Sequence, residues 1–279
     1  MRAIDFRLRP PYRTYLNSFM YDMPALEKSH AVRDLGPVSE AARRRDTSLL
    51  VEEMDNAGVT WGVAPVRLPQ DGNNDDAVTL MEEFPGHFLG VPWIDPLDPR
   101  SACLDVERYC VNGPCRAVIM EPGLYTTPVK WFVNNPDLFP VYEYCAEKNV
   151  PVLLSFGGRV SDPRYYAPEL IYDVASRFRD LKLVLCHGGW PYVTAICKVA
   201  MDCPNVFLSP DTWAMSFAPG GADYILAANY TLQDQIVFGS SYPAMPLKKA
   251  VENYVGRLRP EVADKIMYLN GARLFGLEA

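Results

Sequence analysis

The feature that most limits how this chain can fold is a regular alternation of short apolar runs with longer helical patterns. Eight runs have the length and composition of strands, at residues 3–8, 60–66, 88–94, 116–121, 151–156, 183–187, 205–209 and 235–240. The runs around Val152 and Leu185 are almost entirely apolar, which is typical of parallel strands buried on both faces. Eight strand–helix units predict an α/β protein, a closed (β/α)8 TIM barrel.

Helical patterns separate these runs, at 39–57, 75–84, 99–112, 136–148, 167–179, 191–202, 220–231 and 245–257. Ser39 is suited to cap the start of the first helix, and Gly58 is suited to end it. No composition shift or linker divides the chain, so we expect a single domain over residues 1–279.

A long insertion, residues 10–37, follows the first predicted strand and is rich in proline, tyrosine and methionine. Loops of this length at the mouth of a barrel are typical of lids or of contacts between subunits. The segments 122–135 and 156–168, rich in glycine, proline and aromatic residues, are further candidates for covering the mouth. The aromatic side chains of the insertion favour a homodimer.

Composition and charge exclude several classes of function. The net charge of −7 and a pI near 5.1, without any basic tract, argue against nucleic-acid or membrane partners. The sequence has no apolar stretch of membrane-spanning length, and its start lacks the apolar core of a secretory signal. Its seven cysteines include no CxxC pair and are typical of reduced, buried thiols. We therefore expect a cytoplasmic protein.

Several motifs along the chain resemble those of one family. They are FLGVPWIDP at 88–96, LKLVLCHGG at 181–189, NVFL at 205–208, FGSSYP at 238–243 and NGARLFGL at 270–277. Together they resemble the amidohydrolase-related family that includes aminocarboxymuconate-semialdehyde decarboxylase, resorcylate-type decarboxylases and pyrone-dicarboxylate lactonase. The resemblance implies a barrel of the metal-dependent hydrolase type, with small carboxylated aromatic compounds or muconates among its substrates.

Most metal-ligand positions implied by the resemblance have changed. Arg7 and Arg9 replace the two histidines of strand one, Ser155 the histidine of strand five, and Ser241 the aspartate of strand eight, whereas His187 is retained. Guanidinium groups are not usual metal ligands, and His187 with Glu121 alone makes a poor site for zinc or manganese. We expect no catalytic metal and no other cofactor; a metal at an unaligned site is the alternative.

Polar residues at the strand ends should converge at the barrel mouth. Arg7, Arg9 and Arg67 are candidate anion-binding residues, because a guanidinium matches a carboxylate with two hydrogen bonds. Two alternatives stay open for them. Arg7 could instead pair with Glu121 or Asp211 in a structural network, and Arg9 and Arg67 could face solvent. The further candidates for contacting a ligand are Trp190, Tyr192 and Ser241.

His187 is the candidate general acid or base, since histidine titrates near neutral pH. It could be assisted by a carboxylate, Asp211 or Glu121. The order of strands also permits a line in which Ser155 is the nucleophile, His187 the base and Asp211 its orienting group. The alternatives are a packed His187 bonded to a backbone carbonyl and a Ser155 that only fills space. The other two histidines, His30 and His87, are expected at the surface.

These residues predict a metal-independent hydrolase or lyase acting on a small anionic molecule, a carboxylated cyclic or aromatic compound. The alternative is a non-catalytic barrel that binds a small anionic ligand or a partner subunit. The first function requires His187 to transfer protons, whereas the second requires only the arginines. The sequence leaves open which of the two applies.

Overall fold

The computed structural model describes residues 1–123, 129–159, 162–215 and 217–278. Its strands run parallel in two sheets, with the orders β1–β2–β3 and β4–β5–β6–β7. The strands are β1 (Ala3–Asp5), β2 (Val59–Pro65), β3 (Phe88–Val91), β4 (Val118–Met120), β5 (Val152–Ser155), β6 (Leu183–Cys186) and β7 (Val206–Ser209).

Isolated backbone bridges close the two sheets into a barrel. They join Trp93 to Ile119, Leu208 to Ile236, and Leu8 to Tyr242. The amide of Phe6 also donates to the carbonyl of Phe238 at 2.9 Å. Residues 235–242 thus lie between β7 and β1, in the place of the eighth strand, and the predicted (β/α)8 barrel is confirmed.

The first and eighth predicted strands are shorter than expected because a buried carboxylate takes up backbone amides there. Asp5 accepts hydrogen bonds from the amides of Arg7 at 3.0 Å and Ser240 at 2.9 Å, and also from the Ser240 hydroxyl. β1 therefore ends at Asp5, and residues 235–242 form bridges rather than a continuous strand. Asp5 is fully buried, and its burial raises the pKa of the carboxyl group.

Helices surround the barrel. In the described part of the chain they are α1 (Met23–Val32), α2 (Glu40–Arg44), α3 (Thr47–Ala57), α4 (Asp75–Glu83), α5 (Pro99–Val106), α6 (Phe139–Glu147), α7 (Pro168–Arg177), α8 (Val193–Asp202), α9 (Gly221–Asn229), α10 (Leu247–Val255), α11 (Pro260–Asp264) and α12 (Asn270–Phe275). Among these residues no helix is long and apolar enough to cross a membrane.

The helix predicted over 39–57 is divided into α2 and α3. Arg45 has a left-handed backbone with φ of +55°, and the Asp46 carboxylate then caps α3 by accepting from the amides of Ser48 and Leu49. The predicted caps are present at both outer ends. Ser39 accepts from the amide of Ala42, and Gly58 ends α3 with φ of +74°.

The core is divided by the strands into two layers. Along β5, Leu153 points into a cluster inside the barrel, whereas Val152 and Leu154 pack against the helices. The C-terminal helix α12 contributes to the inner cluster, where Phe275 stacks on Phe6 with ring centroids 5.1 Å apart. All four strand residues Val152–Ser155 are buried, as the parallel arrangement requires.

The insertion at residues 10–37 is an ordered cover built from α1 and two short 3-10 turns, Arg13–Asn17 and Phe19–Tyr21. Tyrosine hydroxyls fasten it to the strands: Tyr15 donates to the carbonyl of Ala64 at 3.0 Å, and Tyr21 to that of Arg9 at 2.7 Å. Of the other segments expected over the mouth, residues 124–128 and 160–161 lie outside the described residues. The expected homodimer stays a prediction.

The expectation that His30 lies at the surface is wrong. His30 belongs to α1, and its side chain is buried, with 2% of the residue exposed. Nδ1 lies 3.2 Å from the carbonyl oxygen of Gly36, and Nε2 lies 3.2 Å from that of Pro243. His30 therefore connects the insertion to the turn that follows residues 235–242.

Candidate functional site

A cavity of about 420 Å³ opens at the carboxyl ends of the strands, beneath the insertion. Its floor carries Arg9, Arg67, His187, Thr212, Trp213 and Ser241, and its roof carries Phe19, Met20, Ala25, Leu26, Ser29 and Arg33. A cavity of this size suits a small organic ligand. Six of the fourteen described lining residues come from the insertion, which therefore covers this part of the barrel mouth.

Three buried side chains form a line at the floor of the cavity. Nη2 of Arg7 lies 3.1 Å from Nε2 of His187, and Nδ1 of His187 lies 2.7 Å from Oδ2 of Asp211. A guanidinium can only donate hydrogen bonds, so Nε2 must be the acceptor and must carry no proton. The imidazole proton therefore lies on Nδ1, facing the carboxylate of Asp211.

The protonation states agree with this arrangement. Burial lowers the pKa of His187 below its ordinary value of 6.5, and the Arg7 charge adds to the effect although Asp211 opposes it. Burial alone would raise the pKa of Asp211, but attraction to His187 and Arg7 outweighs it, so that pKa is lowered. Near neutral pH the line consists of a charged Arg7, a neutral His187 and a charged Asp211.

Replacing Arg7 and replacing Asp211 should shift the pKa of His187 in opposite directions. Arg7→Gln should raise its pKa by removing a positive charge, and Asp211→Asn should lower it further. Proton NMR can follow the pKa of His187, because the chain has only three histidines whose signals must be separated.

The stability of the wild type should fall as the pH drops below about 6.5. At such a pH the imidazole of His187 binds a proton in the unfolded chain but not in the folded protein.

His87 provides the internal control for this experiment. Its Nδ1 lies 3.1 Å from the carbonyl oxygen of Pro85, two residues earlier in the chain. Its chemical shift at any one pH should be unaffected by either substitution. If the pKa of His187 shifted in the same direction in both variants, the arrangement of Arg7, His187 and Asp211 described above would be wrong.

The backbone at the site has a conformation that residues other than glycine rarely adopt. His187, Asp211 and Ser241, at the ends of three neighbouring barrel segments, have φ of +68°, +47° and +58°. Such residues cost on the order of 1 kcal/mol each and cluster at functional sites. Gly158 permits a close approach here, since a Cβ on it would lie 3.2 Å from Cγ of His187.

Positive charge exceeds the carboxylates that could neutralise it at the floor. Nη2 of Arg67 donates to Oε1 of Glu121 at 2.5 Å, but its Nε and Nη1 have no hydrogen-bond partner. Burial lowers the pKa of Arg9 well below its usual range, and the charges of Arg7 and Arg67 add to this. In the part of the chain that the structure describes, no carboxylate forms an ion pair with Arg9. A carboxylate ligand would supply the acceptors these donors lack.

A comparison with protein families decides what the chain is. The model of the family described as amidohydrolase matches residues 7–277. The chain belongs to the amidohydrolase family. The match covers nearly all of the chain, so the barrel and the cavity lie within the amidohydrolase domain.

Solved structures support the same fold. An uncharacterized TIM-barrel protein from Bordetella bronchiseptica is 34% identical to this chain, with a TM-score of 0.89 over 99% of both chains. The 5-carboxyvanillate decarboxylase from Sphingomonas paucimobilis is 17% identical, with a TM-score of 0.66 over 99% of both chains. The 2,6-dihydroxybenzoate decarboxylase from Rhizobium is 14% identical, with a TM-score of 0.68 over 99% of both chains. At these identities the decarboxylases support the fold alone.

The residues of this site do not fit a divalent metal. Where ligands are expected from the family resemblance, the chain has the guanidinium groups of Arg7 and Arg9, which carry no lone pair for a metal and repel a cation. The Nε2 lone pair of His187 faces Arg7. Within the described ranges, no three histidine, cysteine, aspartate or glutamate side chains are grouped as a metal ion would require.

Several residues lie elsewhere than the sequence predicted. Arg7 bonds to His187 rather than to Glu121, is fully buried, and is not among the described residues that line the cavity. Glu121 pairs with Arg67 through Oε1, and its Oε2 has no hydrogen-bond partner among the described residues, so it does not bond to His187 as an assisting carboxylate would. Ser155 is buried with an unpartnered hydroxyl, and Arg7 faces the histidine nitrogen that a nucleophile would need. The serine-hydrolase line is therefore not formed.

The predicted aromatic walls also need correction. Trp190 stacks on Trp213 at 4.1 Å, and its Nε1 donates to the carbonyl of Pro219. Tyr192 is exposed and packs against Tyr166. Neither belongs to the described lining of the cavity, where Trp213 is the tryptophan. Trp190 follows two glycines with a left-handed backbone, and its ring contacts the cavity-lining Trp213 rather than the cavity itself.

Some residues of the site were missed by the sequence reasoning. Asp5, which orders the ends of the first and eighth barrel segments, is marked only as a carboxylate within an apolar run. Arg33, Arg159 and Trp213 line the cavity from segments with no strand-end signal. Of the predicted residues, Arg9, Arg67, His187 and Ser241 line the cavity, and Asp211 contacts His187 from behind.

Proposed function

We propose that this protein is a metal-independent hydrolase or lyase that acts on a small carboxylated cyclic or aromatic compound. The observation that carries the proposal is a neutral histidine, held by Asp211, that faces a cavity lined by Arg9 and Arg67. The names of the two decarboxylases of the same fold, which act on 5-carboxyvanillate and 2,6-dihydroxybenzoate, agree with this substrate class.

In this function Arg9 and Arg67 hold the substrate carboxylate, and His187 transfers a proton through Nε2. Nε2 of His187 can take up a proton only after Arg7 has given up its hydrogen bond to this nitrogen. A carboxylate is a stronger acceptor for a guanidinium than a neutral imidazole, so a bound anion draws Arg7 towards itself and frees the base. Asp211 then stabilises the imidazolium that forms. Arg7 thus takes part in anion binding only when the substrate is present.

One observation favours a second candidate, a barrel that binds an anionic ligand without converting it. Arg7 faces the Nε2 atom that catalysis needs. If Arg7 stays in place when the ligand binds, His187 remains part of the wall. The two candidates share Arg9 and Arg67 and differ in whether His187 is released.

A screen distinguishes them. Benzoate, hydroxybenzoates and cyclic lactone carboxylates are tested for thermal stabilisation of the protein. A ligand at a concentration of 100 times its Kd raises the free energy of unfolding by about 2.7 kcal/mol. The compounds that stabilise the protein are then incubated with it after treatment with EDTA, and products are sought by mass spectrometry. We expect both stabilisation and conversion.

Three other outcomes would change this conclusion. Stabilisation without conversion would establish the binding protein instead. Conversion that is lost with EDTA and restored by manganese or zinc would overturn metal independence. If no acid stabilised the protein, anion recognition at Arg9 and Arg67 would be wrong.

A further inference from the structure

Two further arginines line the cavity and come from segments of the chain other than those that carry Arg9 and Arg67. Arg33 follows α1 in the insertion, and Arg159 follows β5, whereas Arg9 and Arg67 follow β1 and β2. Arg159 is exposed and Arg33 is half-buried, with its guanidinium carbon 4.8 Å from the ring centre of Phe217. We call Arg33 and Arg159 the rim pair.

The rim pair is not explained by neutralisation within the protein. In the ranges described by the structure, no carboxylate forms an ion pair with either arginine. Burial lowers the pKa of Arg33, and the positive charge of Arg159 lowers it further, so the two guanidinium groups repel one another. Two like charges that face one cavity without a counter-ion are typical of an anion-binding subsite.

The charge of the cavity contrasts with that of the whole chain. The chain has a net charge of −7, yet the described walls carry the guanidinium groups of Arg9, Arg33, Arg67 and Arg159, with Arg7 behind them. The carboxylates close to these groups are Glu121 and Asp211. A ligand with one carboxylate, held by Arg9 and Arg67, would leave the rim pair without a partner.

The rest of the described lining is largely apolar. Phe19, Met20 and Leu26 reach it from the insertion, and Trp213 reaches it from the floor. Such side chains suit a ring or a short hydrocarbon body, whereas the arginines at either end suit charged groups. The lining therefore combines an apolar surface with two pairs of arginines, as a molecule with an apolar body and two anionic groups would require.

We propose that the rim pair is a second anion subsite, and that the substrate is a dicarboxylate whose two carboxylates are separated by a ring or similar apolar body. This proposal rests on the proposed function for the first carboxylate, which Arg9 and Arg67 hold. The second carboxylate binds to Arg33 and Arg159. The rim subsite would select dicarboxylates over monocarboxylates of the same size.

Calorimetric titration of the full chain with benzoate, isophthalate and terephthalate tests this. We expect at least one of the two dicarboxylates to bind wild-type protein about tenfold or more tightly than benzoate. In Arg33→Gln and Arg159→Gln this advantage should disappear, while the affinity for benzoate stays within about twofold. Arg116→Gln is the matched control, because Arg116 is exposed just before β4, at the opposite end of the barrel.

The outcomes separate the two proposals. If benzoate binds and both dicarboxylates bind no better, or if their advantage persists in both rim variants, the second subsite is wrong and the floor site stands. If benzoate and the dicarboxylates bind wild type and Arg9→Gln equally, or bind neither, the floor site and the proposed function are wrong. The same loss of dicarboxylate affinity in Arg116→Gln would show a general effect of charge and would also overturn the subsite.

Discussion

Replacing His187 with asparagine should reduce turnover about 10²- to 10⁴-fold, the usual contribution of a general acid or base, without unfolding the protein. Asparagine is chosen because position 187 has φ of +68°, and asparagine adopts the left-handed backbone more readily than most residues. The variant removes the Nε2 atom, which in this structure accepts from Arg7, while keeping a polar side chain near Asp211. The loss should therefore lie in kcat rather than in affinity.

The measurement is single-turnover kinetics with an acid that the wild type converts in the screen, together with the thermal midpoint of each protein. His87→Asn is the control, because His87 lies in the turn before β3 and its ring contacts only a nearby carbonyl. Its turnover should match that of the wild type. A His187→Asn variant that folds and keeps turnover within about threefold of wild type would show that this histidine does not transfer the proton.

Replacing Arg9 with methionine should make the protein more stable, by about 1–2 kcal/mol, and should weaken anion binding at least about tenfold. Arg9 is 4% exposed, its Nε has no hydrogen-bond partner, and the charges of Arg7 and Arg67 repel it. Removing a buried charge in favour of an apolar side chain of similar length is often stabilising. The backbone bonds of Arg9 to Tyr242 and Tyr21 are unaffected by the change.

Urea unfolding without ligand and calorimetric titration with benzoate measure the two effects. Arg116→Met is the control, since it removes an exposed arginine at the other end of the barrel and should change neither quantity. A gain in stability with a loss of affinity is typical of a residue kept for function. A loss of stability in Arg9→Met would instead indicate that Arg9 is satisfied within the protein and is not poised for an anion.

The sequence predicted the barrel well because the evidence for it is local. Apolar runs such as Val152–Ser155 and caps such as Ser39 and Gly58 depend on neighbours within a few residues. The end of β1 could not be predicted in this way. It depends on Asp5 accepting hydrogen bonds from Ser240, which lies at the other end of the chain.

The same difference explains the outcome at the site. Convergence at the mouth follows from the topology, so Arg9, Arg67, His187 and Ser241 could be expected there. The partner of each arginine could not, because Arg7 and Arg67 both lie near carboxylates and the choice depends on side-chain distances across the barrel. Trp190 was misplaced for a similar reason, since the left-handed glycines before it redirect the chain.

The way the insertion is fastened has a consequence for how this protein could change over evolutionary time. Its anchors, Tyr15, Tyr21 and His30, point down to backbone carbonyls of the barrel, which every amino acid provides. The side chains it presents to the cavity, such as Phe19 and Met20, are separate from those anchors. Ligand preference can therefore be altered by exchanging roof residues while the attachment, the strands and His187 stay as they are. The roof residues can thus vary independently of the barrel that holds them.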